Sequence, residues 1–149
     1  MSPSTENHTT SLTILMAEDD TDDIFLLAET LKSLGCEGEL HSVKDGVELM
    51  DYLHRRGRYA DLDLYSLPAL LLLDLNMPRK DGRQALREIK ADPNLKRIPV
   101  VIWTTSDLQE DRVHCSEAGA DGYVTKPNSY GGLIDEIRRL CKNWIQASP

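Results

Sequence analysis

Apolar residues along the chain fall into short unbroken runs separated by longer stretches with helical spacing. The clearest run is Leu70 to Leu73, four leucines followed directly by Asp74 and soon afterwards by Pro78. A strand exposed on one face would alternate apolar and polar residues, so this run predicts a strand buried on both faces. Four other runs predict strands at Leu12–Ala17, Gly38–Val43, Ile98–Trp103 and Asp121–Thr125.

Between these runs, apolar residues recur at the spacing of an amphipathic helix. The first such stretch has one apolar face and is followed by Gly35, a common helix stop. Thr21 is predicted to cap this helix. Ser106 with Gln109 fits a capping box for the fourth helix, which Gly119 closes. The remaining helices are predicted to begin near Asp45–Gly46, near Asp81–Gly82 and at about Ser129, with the last ending at about Gln146.

Five strand and helix repeats in 149 residues predict an α/β fold, with helices on both faces of a parallel sheet. A flavodoxin-like, doubly wound (βα)5 arrangement with strand order 2-1-3-4-5 suits this pattern. Residues 1–11 are expected to be a disordered leader, and residues 12–149 a single domain. The stretch 55–68 has no clear period and is long for a loop. Its Arg55, Arg56 and Arg58 form a basic cluster that we interpret as a solvated loop.

Composition narrows the possible partners. The chain has 17 Lys and Arg residues against 25 Asp and Glu, a net charge of -8, which argues against general binding to nucleic acid or to anionic membranes. No apolar run is long enough to span a bilayer, and the start lacks a secretory pattern, so a cytoplasmic location is expected. The cysteines, Cys36, Cys115 and Cys141, are odd in number and far apart, which predicts reduced thiols.

Candidate chemistry lies where the predicted strands end. In the order 2-1-3-4-5, strands 1 and 3 are neighbours at the switch point, and they end on Glu18–Asp19 and on Asp74. Clustered carboxylates repel one another unless a cation lies between them, and an all-oxygen set suits Mg²⁺ or Mn²⁺. Thr104 and Lys126 follow strands 4 and 5. A metal ion, a hydroxyl and an ammonium would neutralise a phosphoryl group, with an aspartate as its nucleophilic acceptor.

Each of these residues also has an ordinary structural interpretation. The acids could form a solvated turn, Thr104 could cap a helix, and Lys126 could be a surface lysine. Their joint occurrence at the ends of several strands favours the functional interpretation.

The chain resembles the receiver domain of two-component response regulators over residues 12–146. The matching segments are Glu18–Asp19, Leu73–Pro78 with Asp81–Gly82, Pro99–Thr104 and Ala118–Pro127. The resemblance implies that Asp74 accepts a phosphoryl group from a phosphohistidine of a sensor histidine kinase. It also implies that Asp19, Asp74 and the main-chain carbonyl of Asn76 bind Mg²⁺, and that Glu18 acts through a coordinated water.

The resemblance further implies a switch. Thr104 and Lys126 would contact the phosphoryl oxygens, and the Lys126–Pro127 peptide bond would be cis. Movement of Thr104 toward the phosphoryl group would let Tyr123 turn inward, which changes the face formed by helix 4, strand 5 and helix 5.

A closer resemblance links the chain to the stand-alone response regulators that partner cyanobacterial phytochromes. It rests on the segments 55–68, Pro78–Arg83 and Leu95–Val101. It implies a phytochrome kinase and a homodimer. The last helix has a wide apolar face, so Leu140, Trp144 and Ile145 are candidate dimer residues, unless that helix simply folds over the core.

Other functions fit the sequence less well. The chain is expected to lack an output domain, so it would signal to an unknown partner protein or pass the phosphoryl group along a longer phosphorelay. A haloacid-dehalogenase-type phosphatase needs a second aspartate where Asn76 stands. A nucleotide site needs glycines after strand 1, where acids stand instead. A purely structural receiver fold would have lost the acids or the lysine. The protein is therefore expected to catalyse only its own phosphotransfer and dephosphorylation.

Overall fold

Five strands form one parallel sheet; four lie within their predicted runs, and the fourth strand along the chain extends one residue beyond its run, to Thr104. The computed structural model describes residues 12–36, 38–62 and 67–145, so the predicted leader lies outside the described residues. The strands are β1 (Thr13–Ala17), β2 (Glu39–Val43), β3 (Leu70–Leu73), β4 (Val100–Thr104) and β5 (Gly122–Thr125). Their order is β2-β1-β3-β4-β5, with every neighbouring pair parallel. The predicted flavodoxin-like topology is confirmed.

The central strand β3 is as buried as its four leucines predict. Each of these leucines is at most 1% exposed, because β1 and β4 flank the strand and helices cover both faces of the sheet. In register, Leu73 lies opposite Ala17 on β1 and Ile102 on β4. The carboxyl ends of the three strands therefore reach the same edge of the sheet together.

Helices pack on both faces of the sheet and create two apolar cores. They are α1 (Thr21–Ser33), α2 (Gly46–His54), α3 (Gly82–Ala91), α4 (Gln109–Ala118) and α5 (Tyr130–Leu140), with a short 3₁₀ turn at Gly57–Tyr59 and a π-helical turn at Cys141–Ile145. Side chains along β1 alternate between the two cores, as the pleat of a strand requires. Leu15 and Ala17 face α2 and α3, whereas Ile14 and Met16 face α1 and α5.

Two of the predicted caps are wrong, and the structure shows what replaces them. Asp20, not Thr21, caps α1, and its side chain accepts hydrogen bonds from the Asp22 and Asp23 amides. Leu108 precedes α4 without a side-chain cap, because the helix begins at Gln109, while the Ser106 hydroxyl accepts from the Leu108 amide at 3.4 Å and donates to the Asp111 carboxylate. Gly119 does end α4, with a φ of 102° that suits glycine.

The wide apolar face of the last helix packs against the core of the same chain. Leu140 and Ile145 are 5% and 8% exposed and lie in the core shared with α1. Trp144 packs against the same core but is only partly buried. The alternative interpretation of this helix, in which it folds over the core, is therefore correct for Leu140 and Ile145. Their burial removes them as exposed dimer contacts.

Two further expectations, that all the cysteines are reduced thiols and that Arg55 is a solvated loop residue, are corrected by the structure. Cys36 and Cys141 form a disulfide with Cα atoms 6.8 Å apart, although 105 residues separate them, because α5 packs against α1. Cys115 is free and buried. Arg55 is only 7% exposed, and its Nη1 donates to the Tyr52 carbonyl at 2.6 Å, so it is not a solvated loop residue.

Arg56 and Arg58 are exposed, as expected for the basic cluster, and each pairs with an acid of α2. The distances are 3.4 Å to Asp51 and 2.6 Å to Glu48. No helix within the described ranges combines the length and apolar composition needed to cross a membrane.

Candidate functional site

The aligned strand ends bring an acid cluster to one edge of the sheet. Glu18 and Asp74 follow β1 and β3 directly, and the Asp74 amide donates to the Ala17 carbonyl at 3.1 Å. One carboxylate oxygen from each of Glu18, Asp19 and Asp74 lies within 4.8 Å of the others. Glu18 and Asp74 are buried, at 2% and 7% exposure, while Asp19 is exposed. An all-oxygen set with one open side suits a hard divalent cation such as Mg²⁺ or Mn²⁺.

The main chain of Asn76 adjoins this cluster. Its amide donates to Asp74 Oδ1 at 3.2 Å, which ties the loop after β3 to the Asp74 carboxylate. The Asn76 side chain is exposed, so the expected contribution of this residue to a metal site would come from its backbone.

Lys126 is the cation of the site. Its side chain is 8% exposed, and its Nζ donates to Glu18 Oε1 at 2.5 Å and to Asp23 Oδ2 at 2.7 Å. Asp74 Oδ2 lies 3.7 Å from the same nitrogen. Burial alone would lower the pKa of Lys126, but the hydrogen bonds to Asp23 and Glu18 and the negative charges of Asp74 and Glu18 together outweigh burial and raise that pKa. The ammonium therefore remains charged among the three acids.

Glu18 has the opposite balance of forces. Burial, with a further contribution from the negative charge of Asp74, raises the pKa of Glu18 to about 7, although the hydrogen bond from Lys126 opposes the rise. A divalent cation would favour the ionised carboxylate over the protonated one, because metal ligands must be deprotonated.

The Lys126–Pro127 peptide bond is not cis. The structure has no cis peptide bond among its described residues, so the expectation for this bond is wrong. The trans isomer has the lower intrinsic energy, and Lys126 reaches the acids with its own amide bonded to the Thr104 carbonyl at 2.7 Å.

Thr104 and Tyr123 both contact the loop after β4. Thr104 is fully buried at the end of that strand, and its Oγ1 accepts a hydrogen bond from the Ser106 amide at 3.3 Å. The Tyr123 hydroxyl donates to the Ser106 carbonyl at 2.9 Å. The guanidinium of Arg112 lies 4.6 Å from the Tyr123 ring centroid. A specific hydrogen bond thus holds the partly buried Tyr123 side chain against the loop after β4.

Sequence reasoning missed Asp23 and a second charged cluster. Asp23 follows the N-cap of α1, and its acidic position in the first helical turn is the only local signal. The second cluster joins α3 to α4. Arg83 donates from Nε and Nη2 to the two oxygens of Asp111 at 2.7 and 2.8 Å, and the Ser106 hydroxyl donates to Asp111 Oδ2 at 2.6 Å. Asp111 is 5% exposed.

The stability of the protein should depend on this ion pair at acidic pH. Hydrogen bonds from Arg83, and to a smaller extent from Ser106, lower the pKa of Asp111 from 3.8 to about 2. The pair therefore stabilises the fold above about pH 4, by about 2 kcal/mol, and that stabilisation is lost as the pH falls toward 2. Urea unfolding should show a smaller loss between about pH 5 and pH 2.5 in Asp111→Asn than in the wild type. Equal losses would contradict a charged Asp111.

Comparisons with known proteins agree with this geometry. The sequence profile described as the response regulator receiver domain matches residues 14–138. The response regulator Rcp1 of Synechocystis sp. is 38% identical over 133 residues, which cover 89% of this chain and 88% of Rcp1. The Mn²⁺-bound crystal structure of Rcp1 superposes with a TM-score of 0.86 at 37% identity, covering 93% of this chain and 97% of that one.

Two further solved structures are similar. The phosphorylated cyanobacterial phytochrome response regulator RcpA has a TM-score of 0.86 at 38% identity, with 93% of this chain and 97% of that chain covered. The bacteriophytochrome response regulator RtBRR has a TM-score of 0.74 at 33% identity, with 87% and 78% covered. With the strand order and the acid cluster, these matches show that the chain belongs to the response regulator receiver family.

Proposed function

We propose that this protein is a response regulator built from one receiver domain, and that Asp74 accepts a phosphoryl group from a sensor histidine kinase. The observation that carries the proposal is the setting of the Asp74 carboxylate. It lies 3.7 Å from the Lys126 ammonium and shares its oxygen cluster with Glu18 and Asp19. The existence of a phosphorylated form of the similar protein RcpA supports an acceptor role.

The transfer would be a single displacement at phosphorus. An Asp74 oxygen forms a bond to phosphorus while the bond to the histidine nitrogen of the kinase breaks, and the electron pair leaves with the imidazole. Lys126 would neutralise one phosphoryl oxygen, and the Thr104 hydroxyl would donate to another. Burial of Asp74 and Lys126 strengthens these interactions, because little water screens them.

The site would hold Mg²⁺, or Mn²⁺ in its place. Asp19, Asp74 and the main-chain carbonyl of Asn76 would be ligands, with Glu18 acting through water. Three carboxylates within 4.8 Å support this assignment, as does the Mn²⁺-bound structure of Rcp1. When bound, the ion would supply positive charge to the phosphoryl oxygens.

The kinase is proposed to be a phytochrome, and the protein is proposed to act in the cytoplasm. The phytochrome assignment is supported by RcpA and RtBRR, because both are described as phytochrome response regulators. Receiver-domain response regulators are signalling proteins, and we expect this one to process only its own phosphoryl group.

Phosphorylation would draw Thr104 inward, release Tyr123 and change the face of α4, β5 and α5 that a downstream protein binds.

Labelling by a kinase tests the acceptor. Incubation with a ³²P-phosphorylated phytochrome kinase and Mg²⁺ should label the wild type, while Asp74→Asn should reduce the label to background because an amide cannot accept the group. The matched control Asp135→Asn changes an exposed aspartate of α5 and should label normally. Chelation of the metal with EDTA should abolish wild-type labelling. Label that persists in Asp74→Asn would place the acceptor at another residue.

A homodimer is proposed with Trp144 as its contact. Trp144 is the one predicted dimer residue that the core leaves partly exposed, and it borders a groove of about 260 Å³ between β5 and α5. Sedimentation equilibrium should give a dimer mass for the wild type and a lower average mass for Trp144→Ala. Equal masses would remove this residue from the interface.

A further inference from the structure

Ser106 is a junction between the two proposed switch residues and a charged pair. Its amide donates to Thr104 Oγ1 at 3.3 Å, and its carbonyl accepts from the Tyr123 hydroxyl at 2.9 Å. Its own hydroxyl donates to Asp111 Oδ2 at 2.6 Å. The same residue therefore contacts the group that would meet the phosphoryl oxygens, the tyrosine that would follow it, and a buried carboxylate.

Asp111 cannot easily follow a movement of Ser106. Arg83 donates hydrogen bonds to both carboxylate oxygens of Asp111, at 2.7 and 2.8 Å, in the bidentate geometry that gives the strongest charge-assisted hydrogen bonds. Arg83 is itself anchored, because its Nη1 donates to Asp81 Oδ1 at 2.8 Å and lies 3.5 Å from the Leu75 carbonyl. Arg83 and Asp111 thus join the loop after β3, which follows Asp74, to the loop after β4, which follows Thr104.

We propose that Arg83 and Asp111 are positioning residues that hold the loop after β4 in its unphosphorylated arrangement through the Ser106 hydroxyl. This inference rests on the proposed function. When Thr104 moves toward a phosphoryl group on Asp74, its bond from the Ser106 amide pulls on Ser106. Ser106 can follow only by giving up its hydrogen bond to Asp111. The free energy needed to break that bond opposes the switch. Once the bond is broken, the Ser106 carbonyl, which accepts from the Tyr123 hydroxyl, can move with the loop.

The consequence is a population effect. When only a minor arrangement of a protein can react, the observed rate is proportional to the population of that arrangement. Weakening the Ser106–Asp111 bond should raise the population of the reactive arrangement and so speed phosphorylation, although the same change removes contacts that stabilise the fold. A merely structural role would lower stability and would not raise the rate.

Phosphorylation by acetyl phosphate, a small donor that leaves as acetate, tests this without a kinase. With Mg²⁺ present, Asp111→Asn and Arg83→Gln should each acquire the phosphoryl group on Asp74 about tenfold faster than the wild type, by rapid quench. The double variant should be no faster than either single one, because the two residues act as one unit. Arg87→Gln is the matched control, since Arg87 also joins α3 to α4 through His114, 3.0 Å away, without contacting Ser106.

The outcomes separate the two proposals. A wild type that acquires no phosphoryl group on Asp74 would overturn the proposed function itself. A wild type that is phosphorylated, with Asp111→Asn and Arg83→Gln at or below its rate, would overturn only the positioning role. If Asp111→Asn does not fold, Ser106→Ala keeps the Arg83–Asp111 pair intact and carries the same expectation of a faster reaction.

Discussion

Replacing Gly82 with alanine should lower the free energy of unfolding by about 3 kcal/mol. A Cβ at this position would lie 2.2 Å from the Asp74 carbonyl oxygen and 2.7 Å from Leu75 Cα, and both are backbone atoms that cannot rotate away. The Gly82 amide also donates to the Leu75 carbonyl at 3.0 Å, so α3 begins in direct contact with the loop after β3. The variant must move either the helix or the segment that carries Asp74, the proposed phosphoryl acceptor.

Urea denaturation of Gly82→Ala and Gly131→Ala measures this effect. Gly131 lies in the first turn of α5, where an added Cβ would point into open space, so alanine there should leave stability unchanged or raise it by up to about 1 kcal/mol. Gly82→Ala should also lose phosphoryl acceptance at Asp74, because its backbone has to shift. Equal urea midpoints for the two variants would contradict the close packing of α3 against Asp74.

Replacing Lys126 with methionine should also be strongly destabilising, by about 3 kcal/mol when EDTA removes divalent cations. The change leaves Glu18 and Asp74, which are 2% and 7% exposed, facing each other and Asp23 without the ammonium. Buried carboxylates without a partner must repel one another or take up protons, and either outcome disfavours folding.

Magnesium should reverse most of this loss, which distinguishes a charge effect from lost packing. A ligand that binds only the folded state stabilises it by an amount that rises with the logarithm of the ligand concentration divided by the dissociation constant. Lys126 would compete with a bound metal ion for the Glu18 carboxylate, so calorimetry should show tighter Mg²⁺ binding in Lys126→Met than in the wild type. The control Lys96→Met alters an exposed lysine and should change stability by less than about 0.5 kcal/mol. A Lys126→Met variant as stable as wild type in EDTA would contradict this balance of charges in the site.

Local sequence patterns were sufficient to predict the strands and the edge where the site lies. A run such as Leu70–Leu73 has no polar face, so it belongs inside a sheet with layers on both sides. Parallel strands end at one edge, and this geometry brings the acids after β1 and β3 near the lysine after β5. The resemblance to receiver domains then suggested a role for each group.

Local patterns failed where a side chain had several possible partners. Ser106 matched a capping box, but α4 begins only at Gln109, so the Ser106 hydroxyl accepts from the Leu108 amide at 3.4 Å, ahead of the helix, and donates to the Asp111 carboxylate. Asp23 looked like an ordinary acid in a first helical turn, yet it meets Lys126 across 103 residues of sequence. Arg83 and Asp111 stand on different helices, and no periodic pattern relates them.

By itself, the sequence determined which segments are buried strands and which chemical groups follow them. Burial on both faces, strand direction and helix stops depend on neighbouring residues, so local patterns reveal them. Only the tertiary structure decided the pairings of Lys126 with Glu18 and Asp23, of Ser106 with Asp111, and of Cys36 with Cys141. These pairings depend on the packing of helices against the sheet, which sets distances between side chains that are remote along the chain.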